Sequence, residues 1–220
     1  MERLYYLVFG FFTIIVIAST SHALSVAANV NNNTFATAQN LDAFFSVGPN
    51  SDIANAELTP WASVQGVGDG TLDFFSFSVA AASTGIFDID YGRGADGSGI
   101  DTEIFLFDSV GNFLAGNDDS DITRGAGGSV SSLDAFLSYN FLSAGFYYLG
   151  VAEFNSFACG AGICGNVADA GDFYTLQLSV GGSRVQGDQG NPGQEVPEPG
   201  TLLLLSAGLL GAARLRKRHG

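Results

Sequence analysis

Lysine and histidine are almost missing from this chain of 220 residues: Lys217 is the one lysine, and His22 and His219 lie close to the two ends. Between Leu24 and Val196 neither type occurs, and Arg93, Arg124 and Arg184 are the only cationic side chains. A Ser-His-Asp or Cys-His site, a Schiff-base lysine and a phosphate-cradling P-loop are excluded from that body, because each needs a base or cation it does not possess. The same stretch carries twenty Asp and Glu, a net of −17 against −14 for the whole chain. Nucleic acid is disfavoured as a partner, since phosphate backbones are held through Lys and Arg. Between Leu24 and Val180 no segment keeps a 3.6-residue apolar period long enough for a helix.

What the chain does have is glycine and phenylalanine. Its 30 Gly are about twice the usual ~7% share, and its 19 Phe point to many turns around a phenylalanine-rich interior. Short alternating segments recur between Gly, Asn and Asp clusters. In 73–79 (DFFSFSV), Phe75, Phe77 and Val79 share one face. Phe87, Ile89 and Tyr91 alternate with Asp88 and Asp90, which read as an exposed polar strand face and only as a lesser cation candidate. Further strands are expected around Ile104 and Leu106, at 113–115, and over 135–141, 145–152 and 173–180. At least seven such segments predict an all-β body over 24–180, an antiparallel β-sandwich or jelly roll.

Both ends carry addresses. Met1 to Arg3, an apolar run from Leu4 to Ala18 and the small-residue site Ser21-His22-Ala23 predict a secretory signal peptide over 1–23, cut by signal peptidase after Ala23. Fifteen apolar residues fall short of the ~20 that span a bilayer. Residues 181–195 are polar and glycine-rich, the composition of a flexible linker. Over 196–220 come Pro197-Glu198-Pro199, an apolar helix expected at 201–213, and the basic cluster Arg214 to Arg218. That cluster would stay on the cytoplasmic side of the inner membrane, leaving the body outside.

A Pro-Glu-Pro triplet, a short Leu/Gly/Ala helix and a terminal basic cluster, in that order, resemble the PEP-CTERM sorting signal. The resemblance implies handling by an exosortase, which cuts near Pro197, Glu198 and Pro199 and releases the body to the surface; a retained tail anchor is the alternative. The body in turn resembles the bacterial pre-peptidase C-terminal-like domain. The matching stretches are 33–39 (NTFATAQ), 73–77 (DFFSF), 101–104 (DTEI) with 106–108 (LFD), 116–119 (GNDD) and 144–151 (AGFYYLGV). That family is a small β-sandwich of accessory or binding modules, several of which bind calcium, and it offers no shared catalytic residue.

Three constellations could carry chemistry. If Ser109 to Asn112 form a four-residue turn with Asp108 opposite Phe113, Glu103 faces Asp118, Thr102 faces Asp119, and Asp101 faces Ser120, next to Asp121. Five carboxylates at one hairpin base (Asp101, Glu103, Asp118, Asp119 and Asp121) repel unless a cation neutralises them, and oxygen donors without His or thiolate specify calcium. A solvated acidic turn with no ion is the plain alternative. Cys159 and Cys164, in a glycine-rich loop of an exported chain, are expected to form a local disulfide. Phe44, Phe45, Trp61, Phe154 and Phe157 lie near turns, and Trp61 after Pro60 is the best candidate for surface recognition; core packing is the commoner use of such rings.

The expectation is a non-catalytic exported module that binds exopolysaccharide or surface proteins, with calcium as its cofactor. A carboxylate-dependent glycoside hydrolase and a purely structural spacer are the alternatives.

Overall fold

The computed structural model describes residues 25–160 and 162–181. The signal segment with Ala23, the 182–195 linker, Pro197, Glu198, Pro199 and the helix expected at 201–213 lie outside the described residues.

The described chain is nearly all strand. One five-stranded sheet takes the order β1 (Val26–Ala27), β3 (Trp61–Val67), β12 (Phe173–Val180), β5 (Ser83–Asp90) and β8 (Phe136–Phe141). The second runs β2 (Gln39–Asn40), β4 (Asp73–Val79), β9 (Gly145–Glu153), β6 (Thr102–Asp108) and β7 (Phe113–Asn117). The ribbon β10 (Phe157–Cys159) and β11 (Gly162–Cys164) stands apart. Pairing is antiparallel except for the two-residue edges, where β1 joins β3 and β2 joins β4 in parallel.

Alternation explains the core. Phe87, Ile89, Leu176 and Leu178 from the first sheet meet Phe75, Phe77, Ile104 and Leu149 from the second in one buried cluster. The Phe77 and Phe87 rings lie 5.4 Å apart between the sheets, so the layers interdigitate as a sandwich. Each buried phenylalanine contributes about 1.5–3 kcal/mol. Strand β3 was not apparent in the sequence because its inward positions are the small Ala62, Val64 and Gly66. A side chain at Gly66 would collide with the Tyr174 ring, which fills that space.

Several sequence expectations change. Asp88 and Asp90 are 2% and 0% exposed, because segments 48–59 and 121–129 cover the face they occupy. The linking bond runs from the Ala54 N–H to the Gly125 carbonyl at 3.0 Å. Trp61 is likewise buried, packed with Ile53 and Ala56, and its indole N–H donates to the Gly48 carbonyl at 3.1 Å. Phe45 is core and Phe44 packs against it. Tyr91 leaves the strand at φ 58° and is exposed.

Candidate functional site

The β6–β7 turn differs from the expected one and yet delivers the expected register. The Asp108 N–H donates to the Asn112 carbonyl at 3.0 Å, so the turn is one residue tighter. Phe107 therefore pairs with Phe113, and a bulge between Leu106 and Phe107 restores Leu106 to Ala115, Phe105 to Gly116 and Ile104 to Asn117. Gly111 allows the tight turn at φ 86°. Continued one step, that ladder sets Glu103 beside Asp118.

Four of the five named carboxylates feel one another. Burial pushes Asp101 up first, with Asp119 and Asp118 adding and Arg93 opposing. Glu103 is raised by burial, opposed by the Ser156 N–H at 3.0 Å, and raised further by Asp118 and Asp101. Asp121 stands apart: its Oδ1 accepts from the Thr123 N–H at 2.9 Å and the Thr123 hydroxyl at 2.8 Å, and these bonds lower its pKa. The Asp119 N–H takes one Asp118 oxygen at 2.8 Å, whereas Asp101 Oδ1 is buried without a partner. Among the described residues no three acidic, imidazole or thiol groups are gathered as a ready ion cage.

Beside this cluster lies an open groove of about 430 Å³, lined by Glu103, Asp118, Phe105, Phe113, Ser156 and Phe157. Phe113 and Phe157 are 50% and 60% exposed, so each presents part of its ring to solvent, Phe113 while resting on Phe105 and Phe107. Phe157 belongs to β10, whose Cys159 is joined to Cys164 of β11. The hairpin thus pinned packs Ile163 and Ala158 over Phe74, Phe105 and Phe107 on the outer face of the second sheet. Phe154 is also exposed, outside that lining.

The second acidic group, the lesser candidate Asp88 and Asp90, is buried where the sequence places it on an exposed strand face. Asp88 is pushed up to about 8 by burial and then by the charges of Asp90, Asp134 and Asp52. Asp90 rises to about 7 through burial, opposed by its bond from Gln177. Asp134 rises to about 6 through burial, opposed first by the Arg93 N–H at 2.8 Å. Cover is possible because Gly125 and Gly128 lie against the carboxylates at φ 81° and 102°. A Cβ at Gly125 would overlap Asp88 Oδ2, and one at Gly128 would overlap the Asp90 carboxylate. The close glycines of 125–128 (GAGG) were the available signal.

Residues 195–218 match the model of the PEP-CTERM protein-sorting motif. Among solved structures, the pre-peptidase C-terminal domain of a collagenase from Bacillus anthracis is similar at 20% identity and a TM-score of 0.30, covering 56% of this chain and 89% of that domain. At that score the fold rests on the strand pairing described above. No curated protein matches the sequence. A PEP-CTERM motif implies export and processing by exosortase. The chain therefore carries a PEP-CTERM sorting signal, which marks it as an exosortase substrate bound for the cell surface or the extracellular space.

Proposed function

We propose that the sandwich is a non-catalytic binding module, presented outside the cell and directed at exopolysaccharide or surface proteins. The observation that carries it is the groove in which two exposed rings, Phe113 and Phe157, flank Glu103 and Asp118. Rings stack on the apolar faces of sugars while carboxylates accept from their hydroxyls. Immobilised exopolysaccharide should retain the exported protein, and Phe157→Ala with Phe113→Ala should release it; retention equal to wild type refutes the groove. Hydrolysis is the second reading, because a partly buried Glu103 with raised pKa shares the groove with Asp118, the pairing of acid and base that glycosidases use. Release of reducing ends that Glu103→Gln abolishes would replace binding by catalysis.

Calcium enters this reading at the hairpin base, with Asp101, Glu103, Asp118 and Asp119 as ligands and without Asp121, whose carboxylate closes its own turn. A metal bound only by the folded state adds about 2.7 kcal/mol at 100 times Kd. Melting should rise with Ca²⁺, and Asp118→Ala with Asp119→Ala should reduce the rise. A shift reproduced by monovalent salt at equal ionic strength is screening alone. Processing by signal peptidase and exosortase predicts an exported mass that begins at Leu24 and lacks everything after about Pro197. A surface protein that keeps Arg214 to Arg218 is instead a tail-anchored one.

A further inference from the structure

Asp88 and Asp90 project from β5 onto the outer face of the first sheet, and Gln177 of β12 is paired with Asp88 across the ladder. All three are buried, at 2%, 0% and 4% exposure. Beneath the covering loops is a cavity of about 10 Å³, lined by Asp52, Asp88, Gln177 and Ser179 together with Ile53 and Ile86. That is room for one body the size of a water molecule.

Two oxygens of the lining residues, Asp88 Oδ2 and Gln177 Oε1, are buried and have no hydrogen-bond partner. The orientation of Gln177 is set by Asp90: Nε2 donates to Asp90 Oδ2 at 3.1 Å, so the other end of the amide is a pure acceptor. Leaving such acceptors bare is costly, and a buried carboxylate without a counter-charge costs more. The described chain supplies none. Its two cationic side chains are engaged elsewhere, Arg93 donating to the Gly99 carbonyl at 2.9 Å and Arg124 lying 5.8 Å over the Phe136 ring.

We propose that this cavity binds one hard cation, calcium, through the carboxylates of Asp88 and Asp52 and the neutral oxygens of Gln177 and Ser179, with the Gly125 segment as its cover; Asp52 would exchange its bonds from the Ser51 and Tyr91 hydroxyls, at 2.9 and 3.4 Å, for the ion. Two carboxylates neutralise a divalent ion, and an all-oxygen set favours calcium over zinc or copper. Asp90 is a positioning residue that aims Gln177. The site goes beyond the hairpin-base reading and is independent of it, since that cluster lies at the open end of the β6–β7 hairpin of the other sheet.

Trp61 provides a local reporter. It is the only tryptophan, it pairs with Ser179, and it packs on Ile53; Ser179 and Ile53 both line the cavity. Tb³⁺ added to the intact exported chain should emit when tryptophan alone is excited, and Ca²⁺ should displace it. Asp88→Asn should weaken that signal's apparent affinity by at least about 100-fold, because loss of even a supporting partner costs about 10–100-fold. Asp118→Asn with Asp119→Asn should leave it intact. No tryptophan-sensitised emission from the wild type means a buried water only and overturns the proposal. Emission that survives in folded Asp88→Asn but disappears in the Asp118/Asp119 variant overturns it too, while supporting the hairpin base. Should Asp88→Asn fail to fold, the titration of Asp118→Asn with Asp119→Asn decides the question: emission that Ca²⁺ still displaces supports the cavity, and its loss overturns it.

Discussion

The outer faces of the two sheets are both covered, and they are covered by opposite chemistry. Over the second sheet, Phe74, Phe105, Phe107 and Ala152 are sealed by Phe35 and by Ile163 of the disulfide-linked hairpin. Over the first, Asp88, Asp90, Gln177 and Ser179 lie beneath loops with little apolar help beyond Ile53, Ala56 and Trp61. One face gains from losing water and the other is penalised for it. A sandwich built this way concentrates its stability on one outer face and its electrostatic cost on the other, where an ion or a proton is the natural remedy.

The difference is tested most strongly on the apolar side. Phe107 is fully buried and its ring meets Phe35 at 5.1 Å and Phe113 at 5.9 Å. Phe107→Ala should cost about 3–5 kcal/mol in denaturant unfolding, the range for truncating a packed phenylalanine. A cost under about 1 kcal/mol would mean that the outer face is only loosely sealed.

On the acidic side the sign reverses. Asp88 and Asp90 have folded-state pKa values of about 8 and about 7, against ~3.9 for aspartate in an unfolded chain. The folded state therefore holds protons that the unfolded state has released. Stability falls as pH rises from about 4 to about 8, and the penalty is complete above that window and absent below it. With chelator present, the melting temperature at about pH 5.5 should exceed that at about pH 8.5. Asp88→Asn removes the ionisation and should stabilise the metal-free protein by on the order of 2–3 kcal/mol at the higher pH. A loss of stability there would show that the carboxylate is already compensated.

These two faces also separate what the sequence disclosed from what it hid. Alternation located the strands around Phe75, Phe87, Ile104, Leu149 and Leu176, because each places large residues on one side with a period of two. The Ile104–Asn117 register followed from spacing, although a tighter turn and a compensating bulge produce it. Asp88 and Asp90 were assigned to solvent since alternation says which residues share a face and nothing about whether a distant loop closes over it. Trp61 failed for the same reason: the 48–59 segment that buries it is irregular and has no periodicity to read. In the candidate site, the carboxylates were visible as a charge run, but the groove needs Phe157, brought in by a hairpin more than 35 residues away in sequence from Asp118.

The disulfide belongs to the apolar cover and should matter less than the rings it holds. Cys159 and Cys164 are five positions apart, and closing so short a loop stabilises by about 2 kcal/mol in the chain-entropy account. Cys159→Ser with Cys164→Ser should lower stability by about that amount and reduce exopolysaccharide retention, because Phe157 is carried on the same hairpin. Unchanged retention would separate the groove from its support.

The smallest effect is expected where carboxylates are numerous but wet. Asp119 is exposed and Asp118 half-buried, so their repulsion acts through water and falls away within about a Debye length. Asp118→Asn with Asp119→Asn, in chelator, should change stability by no more than about 0.5 kcal/mol, the scale of exposed charge interactions. The gain should also shrink as salt rises from about 0.01 M to 1 M, as the screening length contracts from about 30 Å to 3 Å. Asp88→Asn should keep most of its effect over the same range, because salt does not enter a cavity that holds one small body. Equal salt dependence for the two variants would mean that the loops over Asp88 open to solvent and that the two faces differ less than their burial implies.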